Sequence, residues 1–174
     1  MDKVLVVVDA QNDFIDGALP CDAANMAIRN IVGRMKAYPA DHICLTLDSH
    51  DKDYLKTREG KYLPVEHCIV GTNGWDIHRS IKYSIDITDA QLIFKDTFGT
   101  LELRNSIKSI CGIPKEIEVC GFATDICVLN NALMLRNEFP KTKITVRRDC
   151  CAGTTDHNHL MALDLMRINQ IEII

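Results

Sequence analysis

Several side chains able to do chemistry sit at the ends of apolar runs in this 174-residue sequence. Cys127 lies in Gly121-Phe122-Ala123-Thr124-Asp125-Ile126-Cys127-Val128, where an apolar run turns into a helical pattern that Thr124 or Asp125 can cap. A thiol in the first turn of a helix meets the positive end of the helix dipole, which lowers its pKa and raises the thiolate fraction. The competing reading of Cys127 is a buried structural thiol. Asp9 closes the run Val4 to Val8, and a carboxylate ending a buried strand needs a partner. Lys95 closes a second run and can supply it, as a structural ion pair or as part of a site. With Cys127, the two make a set of nucleophile, base and orienter.

Asp48-Ser49-His50 places a carboxylate and an imidazole two residues apart, on one side of an extended segment. His67 can complete a three-ligand set. Three nitrogen and oxygen donors with open positions suit a catalytic Zn²⁺, Mn²⁺ or Fe²⁺. A surface histidine is the simpler reading of each imidazole taken alone. His157 and His159 are expected on the exposed face of the last helix, and Trp75 is left open between covering the site and covering the core.

These residues need a scaffold that gathers them. Six short apolar runs read as strands: Val4 to Asp9, His42 to Asp48, Leu92 to Lys95, Ile117 to Gly121, Ile144 to Arg147 and Ile171 to Ile174. Helical spacing separates them: Ile28, Ile31, Val32, Met35; then Leu103, Ile107, Ile110; then Val128, Ala132, Leu135; then Met161, Leu165, Ile168, with Thr155 or Asp156 as its N-cap. Strand alternating with helix predicts an α/β protein with a parallel sheet covered on both faces. Ligands of such sheets bind beyond the carboxyl ends of the strands, where Asp9, Asp48, His50, Lys95 and Cys127 fall. The stretch from about 49 to 75 has little apolar periodicity, and a loop that long is expected to be functional.

Composition narrows the class. With 47% hydrophobic residues and a net charge of −4, the chain is globular, without the basic surface of a nucleic-acid binder or a membrane-surface protein. No apolar run approaches the ~20 residues of a membrane span. Met1-Asp2-Lys3 has no basic region or cleavage site of an export signal. The eight cysteines lack CxxC spacing, and several sit inside apolar runs. They are expected to be reduced packing residues in a cytoplasmic protein, Cys127 excepted.

Taken in order, the motifs resemble those of the nicotinamidase/isochorismatase-like cysteine hydrolases. Asp9-Ala10-Gln11-Asn12-Asp13-Phe14 resembles their DxQNDF opening. Asp48-x-His50 and His67-Cys68 with Gly71-Thr72 resemble their metal loop. Lys95 with Thr97 to Thr100 is similar to their lysine segment, Gly121 to Val128 to their nucleophile motif, and Asp149-Cys150-Cys151-Ala152-Gly153 to their D-x-x-A-G turn. The resemblance runs over nearly the whole chain, read as one domain, 1–174, with the metal loop at about 49–75.

It implies a three-layer α/β/α sandwich with a six-stranded parallel sheet, and a catalytic triad of Asp9, Lys95 and Cys127. It implies a divalent metal (Zn, or Mn or Fe) on Asp48, His50 and His67, and a cis peptide at Phe122-Ala123. The backbone N–H groups of Ala123 and Cys127 would form an oxyanion hole, and Phe14 a wall of the substrate pocket. The implied activity is nicotinamidase-type hydrolysis of a small carboxamide through a Cys thioester, a step of NAD salvage. Its alternatives are an amidase for another small amide or carbamoyl compound, or an isochorismatase-type vinyl-ether hydrolase. Leu63-Pro64 stands where nicotinamidases often have Trp-Pro, which keeps the other amides in play. The implied partners are a small-molecule substrate and further copies of the chain, as a dimer or tetramer, with no nucleic acid and no membrane.

Overall fold

The computed structural model describes residues 2–174. Its centre is β1 (Lys3–Val8), whose Val4 to Val8 side chains are all fully buried, as an unbroken apolar run requires when both sheet faces are covered. β2 (Ile43–Asp48), β3 (Gln91–Lys95), β4 (Glu116–Phe122), β5 (Lys143–Ala152) and β6 (Glu172–Ile173) complete the sheet. Among the described residues it has six strands, all parallel, in the order β3-β2-β1-β4-β5-β6.

Helices cover both faces. α1 (Ala24–Met35) turns Ala24, Ala27, Ile28, Ile31 and Met35 inward, the three- and four-residue spacing of one helical face. It packs on β4, β5 and the short α3 (Arg79–Lys82). α4 (Glu102–Cys111), α5 (Leu129–Glu138) and α6 (Asp156–Ile168) pack side by side, with α4 against β2 and β3 and α6 against β5 and β6. Thr155 caps α6, its hydroxyl accepting from the Asn158 N–H at 3.1 Å. No helix among the described residues is long and apolar enough to cross a membrane.

The order of the strands matters for function. The chain winds outward from β1 to β3, then returns to β4 on the other side of β1. The carboxyl ends of β1 and β4 therefore diverge at a switch point, where such sheets bind ligands. Gly121 makes the close approach there possible. Its φ is +124°, and a Cβ would lie 2.0 Å from the Val8 carbonyl oxygen.

Two elements depart from the sequence reading. β5 runs on past Arg147 to Ala152, because a register shift between Val119 and Gly121 lets Cys151 and Ala152 pair with Gly121 and Phe122. The region 49–75 is not a bare loop, since α2 (Arg58–Tyr62) forms inside it with Thr57 as N-cap.

A buried ion cluster ties α1 to β4 and β5. Arg34 bonds both oxygens of Glu118 at 2.6 and 2.7 Å, and Arg147 Nε bonds one at 2.9 Å. Burial opposes ionisation of Glu118, yet the two guanidinium groups hold its carboxyl below its ordinary value of 4.5. The folded state thus binds that proton less tightly than the unfolded chain, so the stabilisation exists above about pH 4.5 and is lost as pH falls through the depressed value. Glu118→Gln is expected to cost about 1–3 kcal/mol at neutral pH. Denaturant titrations should show the gap between variant and parent closing below pH 4. A constant gap from pH 7 to 3 would contradict the assignment.

Candidate functional site

The backbone of the opening motif sets the site. Asp9 follows β1 with φ +48°, a left-handed conformation that aspartate tolerates better than most residues. The Thr46 hydroxyl of β2 donates to Asp9 Oδ1 at 2.6 Å. Gln11, fully buried, clamps the next strand end: its Oε1 accepts from the Asp48 N–H, and its Nε2 donates to the carbonyls of Asp48 and Trp75, each at 2.8 Å. Asp13 Oδ2 accepts from the Cys68 N–H at 2.7 Å, which fixes the backbone beside His67. Gly74 leaves room for that carboxylate, since a Cβ there would lie 2.1 Å from Asp13 Oδ2. The motif thus supplies one reactive carboxylate and two braces.

Asp48 and Lys95 are register partners at the ends of β2 and β3. Lys95 Nζ lies 2.7 Å from Asp9 Oδ2, 3.3 Å from Asp48 Oδ1 and 3.6 Å from Cys127 Sγ. Asp9, Lys95 and Cys127, candidates from the sequence, are therefore one cluster, each 5% exposed or less. The ammonium approaches Asp9 Oδ2 off the axis of a good hydrogen bond, and no other donor among the described residues reaches that oxygen. It is open to receive a proton.

The electrostatics correct the expected thiolate. Burial pushes the Cys127 thiol well above its ordinary value of 9.0, the Asp9 charge adds to this, and Lys95 opposes it without prevailing. Nor is Cys127 in the first turn of a regular α-helix capped by Thr124 or Asp125. Thr124–Val128 is a wide π-helical turn ahead of α5, in which the Ile126 and Val128 N–H groups both bond the Ala123 carbonyl at 3.1 Å. The two proposed capping side chains face elsewhere. Thr124 Oγ1 bonds His159 Nδ1 at 2.8 Å, and Asp125 accepts from the Thr154 N–H at 2.8 Å. His159 is therefore half-buried against the nucleophile turn rather than on the exposed face of α6, while His157 is exposed. The Phe122-Ala123 peptide is cis. Burial also raises Asp9, with Lys95 pulling the other way. Both shifts favour the protonated forms, and the thiol and the acid form a pair of groups suited to exchange one proton.

Asp48, His50 and His67 offer one donor atom each, all within 4.8 Å of one another. His50 Nε2 is 3.0 Å and His67 Nε2 3.3 Å from Asp48 Oδ2. The His67 Nδ1–H donates to the Val65 carbonyl at 2.9 Å, which leaves the Nε2 lone pair pointing at the cluster. Backbone bonds from His50 to Cys68 and from Val70 to His50, each 3.0 Å, hold the two histidine segments together. Two imidazoles converging on a carboxylate fit a divalent ion of the zinc, manganese or iron kind.

One donor escaped the sequence reading. Glu59 Oε1, on α2, lies 3.7 and 3.8 Å from the same two Nε2 atoms, placed to complete a fourth corner. Its only signal was a carboxylate inside the loop already suspected of holding metal. Glu59→Gln is expected to weaken metal binding about 10-fold and His67→Ala by more, measured by competition with a chromophoric chelator. Equal affinity in Glu59→Gln would remove it from the site.

A cavity of about 340 Å³ opens over these groups, lined by Phe14, Leu19, Cys21, Leu63, His67, Phe98, Ala123, Ile126 and Cys127 among others. Phe14 stands edge-on to His67, with ring centroids 5.8 Å apart. Trp75, left open by the sequence, braces the outside of the site: its Nε1 donates to Ser49 Oγ at 2.8 Å and its ring stacks on Phe94. The eight cysteines are free, and all but the half-buried Cys111 are buried.

A parallel sheet with a thiol, acid and lysine at its switch point, beside a metal-type donor set, defines a class of hydrolase. The isochorismatase-domain family model matches residues 3–174, and the chain belongs to that family. It is a hydrolase of the kind that acts on carbon–nitrogen bonds. A nicotinamidase/pyrazinamidase of Mycobacterium tuberculosis is 29% identical over 187 residues, covering 99% of this chain and 98% of that protein. The structure of a Pyrococcus horikoshii pyrazinamidase in complex with zinc superimposes with a TM-score of 0.81 at 26% identity, over 100% of this chain and 99% of the other. A nicotinamidase/pyrazinamidase structure from Bacillus subtilis gives 0.85 at 25% identity, over 99% of each chain.

Proposed function

We propose that this chain, acting as one catalytic domain over 1–174, is a metal-assisted cysteine amidohydrolase that converts nicotinamide to nicotinate and ammonia. The observation that carries the reading is the Asp9–Lys95–Cys127 cluster, with contacts of 2.7 and 3.6 Å, whose Cys127 lines the same cavity that His67 and Asp48 enter. The likeness to nicotinamidase/pyrazinamidase proteins points the same way.

Asp9 accepts the proton of Cys127 as sulfur attacks the carboxamide carbon. The carbonyl π electrons move to oxygen, and the N–H groups of Ala123 and Cys127 hold the oxyanion. Asp9 passes its proton to the amide nitrogen, the C–N bond breaks, ammonia leaves and a thioester remains. Asp9 then takes a proton from water as its oxygen attacks the thioester. Collapse of that second intermediate breaks the C–S bond, and the proton returns to sulfur. Lys95 keeps Asp9 in place and offsets the negative charge that moves between carboxylate and sulfur. Asp48, His50 and His67, with Glu59, would hold a divalent ion, zinc or else manganese or iron, that supplies a Lewis-acid anchor for the ring nitrogen of the substrate. Phe14 walls the ring. The reading includes a cytoplasmic setting, which eight free thiols suit, and self-association as a dimer or tetramer.

Ammonia release from nicotinamide by protein loaded in turn with Zn²⁺, Mn²⁺ and Fe²⁺ tests this, with nicotinate as the matching product. Absence of both products with every metal would refute it.

A further inference from the structure

The inner cavity is not closed at its outer end. A second, open chamber of about 870 Å³ adjoins it, and Glu59, Leu63, Phe98 and Ile126 line both spaces. Small-molecule sites run from ~300 to 1,000 Å³, so the inner cavity alone is at the size that suits a single ring and the outer chamber exceeds anything such a ring needs.

Its walls are built for contact with something flat and apolar. Tyr62 is 81% exposed and Phe98 42% exposed, so both rings are open to contact by a ligand. Tyr62 is held in place by the Arg58 guanidinium, 5.8 Å from its ring centroid. Leu63 and Ile126 are half-buried between the two spaces and form an apolar neck. Asp51, Asp53, Glu59 and Asp96 line the chamber beside one guanidinium, that of Arg58, an acidic balance that disfavours an anionic occupant.

We propose that the outer chamber is a second substrate subsite. It accepts amides whose acyl ring carries a further uncharged aromatic group, reaching past Leu63, Phe98 and Ile126 to stack on Tyr62. This rests on the amidase reading of the inner cavity and deepens it, because it places the enzyme's preference among larger aryl carboxamides rather than single-ring ones.

The test uses nicotinamide against 5-phenyl- and 6-phenylnicotinamide. Binding is measured calorimetrically on zinc-loaded Cys127→Ala protein, and kcat/KM on the parent. At least one phenyl derivative is expected to bind roughly 3- to 10-fold tighter than nicotinamide, the range of an aromatic pair contact. The gain should vanish in Tyr62→Ala, persist in Tyr62→Phe, and leave the nicotinamide values unmoved. No gain for either derivative, or a gain that survives Tyr62→Ala, overturns the subsite even if nicotinamide is hydrolysed. A Tyr62-dependent gain in binding without any nicotinamide turnover upholds the subsite and counts against the nicotinamidase reading instead.

Discussion

Cys127→Ala is expected to lower kcat on nicotinamide by about 10⁴- to 10⁶-fold, the loss seen when a covalent nucleophile is removed from a preassembled site. The fold should survive, because alanine fills a position that is 5% exposed without leaving a charge unpaired. The variant should also keep its metal, since the sulfur belongs to none of the donor pairs around Asp48, His50 and His67. Binding retained with turnover lost separates a nucleophile from a packing thiol. A variant with substantial residual rate would point to acid catalysis by Asp9, which is the chemistry a vinyl-ether hydrolase of this fold would use. Cys127→Ser should be nearly as impaired, because a buried hydroxyl surrenders its proton to Asp9 less readily than a thiol does.

The second large effect is expected at Lys95. Its Nζ is the shared cation of Asp9 and Asp48, at 2.7 and 3.3 Å. Lys95→Met leaves two buried carboxylates facing each other, a change of about 3–5 kcal/mol by the usual measure of a broken buried pair. The pH dependence carries a sign. Burial already raises Asp9 in the parent, and losing Lys95 raises it further. In the unfolded chain Asp9 ionises near its ordinary value of 3.8, so the folded state holds the proton over a wider span of pH. Stability of the metal-free variant should therefore fall relative to the parent as pH rises from about 4 to 8. A deficit that shrinks over that range would contradict the placement. Activity should drop about 10²- to 10⁴-fold, because Asp9 loses the group that orients it.

The scaffold was readable because its signals are local. Val4 to Val8 reads as a doubly buried strand, and the alternation of such runs with helical spacing points to a covered parallel sheet. Asp9, Asp48, His50, Lys95 and Cys127 stood out because each ends a strand or follows one, whereas His67 lies in the loop beyond α2 and drew its signal from its motif. What failed to show was set by contacts between distant residues. Glu59 looked like any polar loop residue, since its role depends on α2 folding back over His50 and His67. His159 was assigned to solvent because its pairing with Thr124 spans 35 residues. The extension of β5 was hidden by Arg147-Arg148-Asp149, a polar stretch that reads as a turn yet lies within the strand. The thiol was expected to be acidic from the helix dipole alone. In the folded site, burial and the facing Asp9 push the thiol up and Lys95 opposes them without prevailing, so the proposed mechanism has Asp9 take the proton at the moment of attack.

That transfer leaves a covalent trace. Protein mixed rapidly with nicotinamide, quenched in acid after milliseconds and digested should yield a nicotinoyl thioester on the peptide containing Cys127. The adduct should decay when the quench is delayed past substrate exhaustion and be absent from Cys127→Ala. Steady turnover with no adduct on Cys127 at any quench time, undiminished in Cys127→Ala, would contradict nucleophilic catalysis by this thiol.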